Sequence, residues 1–203
     1  MDLGRVARVK LSGTSKLMFG GFVSAPKLPG EDAQAYEERT WPQRMKRTKE
    51  GQIYIPGLAA KRMLESTAKY MSIPVPGKAR ETYTKYFTRG LRTKGDILVL
   101  GDWDEDADHA KLQSVGCAEW HHVPSDGKQG GGKRVLKCFP IMDPWEALVE
   151  FVIVEPKLTN EVFEQHLINA GISNGLGVWR PQLGGSNGTF VVDSIEWSQL
   201  TME

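Results

Sequence analysis

Two stretches decide how this chain reads: Ile53-Tyr54-Ile55-Pro56-Gly57, leading into a helical pattern, and Gly175-Leu176-Gly177-Val178-Trp179-Arg180, followed by Gly184-Gly185-Ser186-Asn187-Gly188-Thr189-Phe190. The first reads as a strand delivered into a helix. The second reads as a glycine-rich crossing between an amphipathic helix and a final strand. Glycine admits positive φ and lets another backbone, or a phosphate, come where a Cβ would block it. Both stretches fall at element junctions, where binding sites are commonly built.

Outward from these junctions the chain reads as an ordered series. Residues 5 to 11 alternate, with Ala7, Val9 and Leu11 on one face and Arg8 and Lys10 on the other, which predicts a half-buried strand. Residues 12 to 52 read mostly as loop, punctuated by Gly20-Gly21, Pro26, Pro29-Gly30 and Pro42, with one helical turn near Asp32 to Arg39. After Pro56, the residues Ala60, Met63, Leu64, Thr67, Ala68 and Met71 fall at helical spacing, and Lys61, Arg62 and Lys69 lie off that stripe. Pro74, Pro76 and Gly77 end the pattern. Short strands follow at Ile97 to Leu100 and Val135 to Ile141. Trp145 to Val154 alternates, with Glu146 and Glu150 opposite the apolar face. Thr159 predicts an N-cap and Gly171 a C′ residue for a helix carrying Phe163, Leu167 and Ala170, and Gly188 to Trp197 forms the last strand. The expected architecture is α+β, a β-α-β-β-α-β core with long insertions at about 12–52 and 78–134, in one domain spanning 1–203.

The two junctions resemble the RAMP superfamily of CRISPR systems, whose members build RNA-binding domains on ferredoxin-like, RRM-like folds. The resemblance rests on Leu11-Ser12-Gly13-Thr14-Ser15 as an early glycine-bearing strand, on Ile55-Pro56-Gly57 with Lys61 and Arg62, and on the stretch Gly175 to Phe190. Leu58-Ala59-Ala60 departs from the small hydroxyl residues common at that junction in the family, and residues 78 to 134 match no part of it. The resemblance implies a backbone-like subunit that binds single-stranded RNA and assembles with copies of itself, or with other effector subunits, into an oligomer or filament. It also implies that backbone N–H groups of the glycine-rich crossing, together with Arg180, contact RNA phosphates or a neighbouring subunit.

Composition narrows the function classes. The 203 residues are 40% hydrophobic and 25% charged, with a formal net charge of +1, as in a soluble globular protein. No run is long and apolar enough for a membrane span, and the N-terminus lacks a signal-peptide core, which points to a cytoplasmic protein without a membrane partner. Cys117 and Cys138 are too few for a disulfide framework. The near-neutral total conceals segregation: residues 39 to 96 hold 14 Lys or Arg against 4 acids, whereas residues 139 to 203 hold 2 against 9. A basic segment on a neutral protein offers a polyanion one face.

Three candidate nucleic-acid contacts follow. Between Lys78 and Lys94, the cations Lys85, Arg89 and Arg92 are interleaved with Tyr83, Tyr86 and Phe87, a composition that would place phosphate pairing beside base stacking. The alternative is an ordinary helix or hairpin whose aromatic rings pack inward. The loop from Pro124 to Val135 carries Lys133 and Arg134 among glycines and lacks the Ser or Thr that a Walker A loop needs after its lysine. The third is the glycine-rich crossing, with Gly175, Gly177 and Arg180; separately, Lys61 and Arg62 lie off the apolar stripe of the helix after Pro56, where they would face a ligand or a neighbour. Other chemistries fail on spacing. Asp102, Asp104, Asp106 and Asp108 lack the glycine and the terminal glutamate of a calcium loop, and Cys117, His121, His122 and Cys138 lack paired zinc-ligand spacing. His121 and His122 face opposite ways on a strand, which predicts one packed and one exposed. No catalytic constellation stands out, Asp32 being the nearest loop aspartate, so no metal or cofactor is expected and binding is favoured over catalysis. Two alternatives stay open: a phage- or plasmid-type protein that binds or anneals single strands, DNA included, and a metal-independent RNA endonuclease.

Overall fold

The computed structural model describes residues 4–78, 80–101, 116–125 and 132–201. Along the chain run β1 (Arg5–Gly13), β2 (Leu17–Met18), α1 (Ala33–Thr40), β3 (Lys46–Arg47), β4 (Ile53–Ile55), α2 (Gly57–Met71), α3 (Thr84–Gly90), β5 (Leu91–Thr93), β6 (Ile97–Leu100), β7 (Ala118–Pro124), β8 (Arg134–Met142), β9 (Glu146–Ile153), α4 (Asn160–Ser173) and β10 (Phe190–Gln199). Short 3-10 turns lie at Trp41–Arg44 and Pro181–Leu183. The class is α+β, and every strand pair is antiparallel.

The main sheet has the order β10-β1-β9-β6-β4-β3. β5 and β6 both pair with the same edge of β9, Leu91 to Thr93 opposite Ile153 to Phe151 and Leu98 to Leu100 opposite Leu148 to Glu146, so they act as one interrupted strand. The alternation expected for β1 and β9 is present: Ala7, Val9, Leu11, Ala147, Val149, Phe151 and Ile153 all face the core. A second, three-stranded sheet of order β2-β8-β7 is built from segments that the sequence places in the two insertions and in the strand after them. It joins the rest through Met18, Phe139 and Ile141, and through Trp41 with Cys138.

α2 and α4 cover one face of the main sheet. α2 buries Ala60, Met63, Leu64, Thr67 and Ala68, and α4 buries Phe163, His166, Leu167, Ala170 and Gly171. Asn174, at the end of α4, ties the helices together by donating from Nδ2 to Met63 O (2.8 Å) and Thr67 Oγ1 (2.9 Å). Leu64 is fully buried, so Leu64→Ala should cost about 2–5 kcal/mol through lost transfer energy and the cavity left behind. Lys69→Ala, on the exposed side of the same helix, should leave the denaturation midpoint unchanged; equal losses for both would remove the assignment of faces.

Thr159 caps α4 as expected, accepting from Val162 N. Gly171, expected as the C′ residue, instead lies inside the helix. A Cβ there would collide with the Phe190 carbonyl, so this glycine serves the packing of α4 on β10. The left-handed residue after the helix is Gly175, with φ +66°, whose N–H returns to Ala170 O at 2.9 Å.

His166 is fully buried, with Nδ1 donating to Val162 O (2.7 Å) and its ring against Phe87 (4.6 Å) and Tyr83 (5.9 Å). Nε2 has no partner among the described residues. Burial therefore lowers its pKa below the ordinary histidine value. The unfolded chain then binds the proton more readily than the folded one, so this stability is complete above about pH 6.5 and falls as pH drops toward the folded pKa. Thermal denaturation between about pH 7.5 and pH 5.5 should show a loss that is blunted in His166→Leu.

Candidate nucleic-acid interface

The strand-to-helix junction and the glycine-rich crossing, more than a hundred residues apart in sequence, meet in one cleft. Pro56, Leu58, Ala59 and Arg62 form one wall, and Gly175, Leu176, Gly177 and Arg180 form the other, around about 300 Å³. The geometry follows from backbone constraints. Gly57 packs against the Gly95 carbonyl at a distance no Cβ would allow, and its N–H donates to Asp96 Oδ1 at 2.8 Å. That holds the start of α2 against the turn between β5 and β6. On the other wall, Leu176 N donates to Gly188 O (2.9 Å), Val178 N to Met18 O (3.0 Å) and Gly188 N to Lys16 O (2.8 Å), which fastens the crossing onto the chain segment around β2.

The cleft is electropositive. Arg180 donates Nη1 to Gly177 O (2.8 Å) and Nε to Gln182 Oε1 (3.0 Å), and Gln182 in turn donates to Ser66 on α2 (2.8 Å). No carboxylate among the described residues pairs with it, and burial alone pushes its guanidinium below the ordinary arginine pKa. Such a half-buried cation without a counterion favours an incoming anion. Arg62 is exposed and forms no ion pair with a described residue. Asp96 already occupies the first amide of α2, so the arginines rather than the helix end supply the charge.

The other expected contacts are dispersed. Lys61 points along α2 to Glu65 (3.4 Å). Lys85 pairs with Glu81 (2.7 Å), which holds the Glu81 carboxyl down at about 2. The rings of Tyr83, Tyr86 and Phe87 are at most 8% exposed, and the Tyr86 hydroxyl donates to Glu81 (2.6 Å) and accepts from Lys157 (3.1 Å). The inward-packing alternative for this segment is therefore the one observed, and Tyr86 offers no ring face to a base. Arg89 on α3 is exposed. Arg92 is exposed on the face of β5 opposite the buried Leu91, away from the helices. Lys133 precedes β8 and Arg134 opens it, reaching His122 O at 3.4 Å; the loop residues 126–131 lie outside the described residues, as does the acidic run Asp102 to Asp108.

The glycines themselves correct one expectation. At Gly177 a Cβ would collide with Met18 O, and at Gly175 it would lie 2.9 Å from Gly188 O. The close approaches these residues permit are to the chain's own backbone, and the cleft wall is the result. The uncovered face of β1 and β9 carries ion pairs, Arg8 to Glu150 at 2.8 Å and Lys10 to Glu146 at 3.0 Å. Asp32 caps α1, accepting from Ala35 N at 2.8 Å. His121 packs on Trp179 while His122 is exposed, in keeping with the strand alternation. Burial, with Glu37 nearby, pushes the Cys138 thiol up to about 12, and among the described residues no three His, Cys, Asp or Glu side chains converge as a metal site. The buried Arg44–Glu37 pair (2.7 Å) also binds both backbone groups of Cys138, a contact not legible in the sequence because Cys138 lies about a hundred residues along the chain.

No helix among the described residues is long and apolar enough to cross a membrane. No protein-family model matches the chain, and no curated protein matches it. Among solved structures, a chain of the Type III-B Cmr-beta complex bound to cognate target RNA, determined by cryo-electron microscopy, is similar over 97% of this chain with a TM-score of 0.52 and 11% identity. The present chain spans 62% of that neighbour's length, and at this identity the likeness is one of fold.

Proposed function

We propose that this chain is a single-stranded RNA-binding subunit of a CRISPR-type ribonucleoprotein, built on a ferredoxin-like core of RAMP type. The observation that carries the reading is the cleft where the Pro56 junction and the glycine-rich crossing bring Arg62 and Arg180 together with no carboxylate among the described residues lining it. Two further observations support it. The order β10-β1-β9-β6, with α2 following β1 and α4 following β9, is the arrangement a β-α-β-β-α-β plan produces. The structural neighbour comes from an assembly bound to target RNA. Recognition in this reading is of the backbone: the cleft grips phosphate, and the charged sheet face does not read bases in the manner of an ordinary RRM. Partners are RNA and other subunits of the same assembly, including further copies of this chain.

The deciding experiment is purification of the protein from cells, sequencing of any co-purifying nucleic acid, and titration of the protein with single-stranded RNA and DNA over a salt series. RNA should co-purify and bind more tightly than DNA, with log affinity falling linearly against log salt. Equal binding of DNA would favour a general single-strand binding protein, and RNA cleavage without added metal would favour an endonuclease. Arg89→Ala tests whether the track extends along α3. It should lower the slope by about 0.7 for one lost phosphate contact on a single strand, and an unchanged slope confines the track to the cleft.

A further inference from the structure

We infer that Trp179, with His121 packed against it, is a stacking seat for one nucleobase beside the phosphate cleft, an inference that rests on the function proposed above. Trp179 immediately precedes Arg180, so the two side chains leave adjacent backbone positions, one for the cleft and one for the neighbouring β7–β8 sheet. The Trp179 ring lies 5.0 Å from Phe139 and 4.2 Å from His121, at interplanar angles of 59° and 64°. It remains partly exposed, and the His121 side chain keeps 37% of its surface in solvent.

The backbone makes this ring unusual. Trp179 has φ +50°, and Ser72 is the only other described non-glycine residue with positive φ. A bulky residue in that region is strained, and such strain persists only where the surroundings over-determine it. Here the Trp179 carbonyl accepts from Asn187 N (3.0 Å), and the Arg180 carbonyl accepts from Gly185 N (3.1 Å), closing the loop around it. Glycine occupies the other positive-φ positions of this crossing, at Gly175, Gly177, Gly184 and Gly188. An aromatic ring held at this one against conformational preference, partly exposed and next to a cation that no described carboxylate pairs with, has the properties a base-stacking contact needs. His121 is held in turn, its Nε2 3.0 Å from Glu119 Oε2, while Glu119 also pairs with Lys16. The core aromatics of α3 offer no such surface, and the exposed rings of Phe22 and Tyr70 lack the held backbone and the neighbouring arginine that Trp179 has.

The test compares a short single-stranded RNA with an abasic strand of the same length and charge, each titrated into the unaltered full chain. The RNA should bind about 5- to 150-fold more tightly, the range expected for one stacked base. Trp179→Leu should reduce RNA affinity to that of the abasic strand while leaving the salt slope unchanged, and His121→Ala should move it the same way. Equal affinity of the unaltered protein for the two strands overturns the seat without recourse to any variant, as does a full base preference in folded Trp179→Leu. If neither strand binds, the proposed function fails and the seat fails with it; if both bind alike, only the seat does.

Discussion

Gly177→Val should cost about 2 to 5 kcal/mol of folding stability, and loss of RNA binding should follow from loss of structure rather than from a blocked ligand contact. Two costs add here. The residue sits at φ +77°, and placing an L-residue with a Cβ in the left-handed region costs about 1–2 kcal/mol, more for a β-branched one. The new Cβ would also drive into the Met18 carbonyl, with the Leu17 side chain 3.0 Å away. Forcing an overpacked site apart typically adds about 1–3 kcal/mol. Met18 O is also the acceptor for Val178 N, so the contact that would be pushed away is the one that seats the crossing on β2.

Neighbouring glycines separate the two costs. Gly184 has φ +78°, but a Cβ at that position would meet nothing within 4 Å. Gly184→Ala should therefore show the conformational cost alone, about 1–2 kcal/mol. Gly185 has no positive φ, yet its Cβ would strike the Trp179 carbonyl, so Gly185→Ala isolates the steric cost. Chemical denaturation of the three variants should rank Gly184→Ala as the mildest and Gly177→Val as the most severe. A folded Gly177→Val protein of normal stability would refute the intrachain packing of the crossing and return that glycine to a ligand-facing role.

The parts of this structure legible in sequence are those set by local periodicity. The alternation of Ala7, Val9 and Leu11, and of Ala147, Val149 and Phe151, reports one buried sheet face directly, and Thr159 marks a helix start because its hydroxyl acts within one turn. Distant pairing leaves no such trace. β1 lies between β9 and β10, whose residues come from the far end of the chain, and β2 reaches across to β8 to begin a second sheet. Gly171 and Gly175 both look like helix-ending glycines, and only the proximity of Phe190 shows that the first is a packing residue. The same limit explains Tyr83, Tyr86 and Phe87. Aromatics among cations satisfy a nucleic-acid composition and an amphipathic helix equally well, and the packing of α3 against α2 and His166 decides between them. At the cleft, each wall was readable as a junction, but their meeting was not.

Arg62→Ala combined with Arg180→Ala should weaken single-stranded RNA binding by about 3 to 6 kcal/mol, roughly a hundred-fold or more, since each hydrogen-bonded charge contributes about 1.5–3 kcal/mol. The slope of log affinity against log salt should fall by about 1.4, corresponding to two phosphate contacts. The single variants distinguish two kinds of arginine. Arg62 is exposed without a described ion pair, so Arg62→Ala should leave the melting temperature unchanged and reduce binding alone. Arg180 also braces its own loop through Gly177 O and Gln182, so Arg180→Ala should lower both stability and affinity. Arg180→Lys keeps the charge but lacks the planar fork that grips Gly177 O, Gln182 and a phosphate together. It should therefore retain most of the salt slope while losing part of the affinity. Unchanged RNA affinity and slope in a folded double variant would remove the cleft as the phosphate site, whatever the chain binds elsewhere.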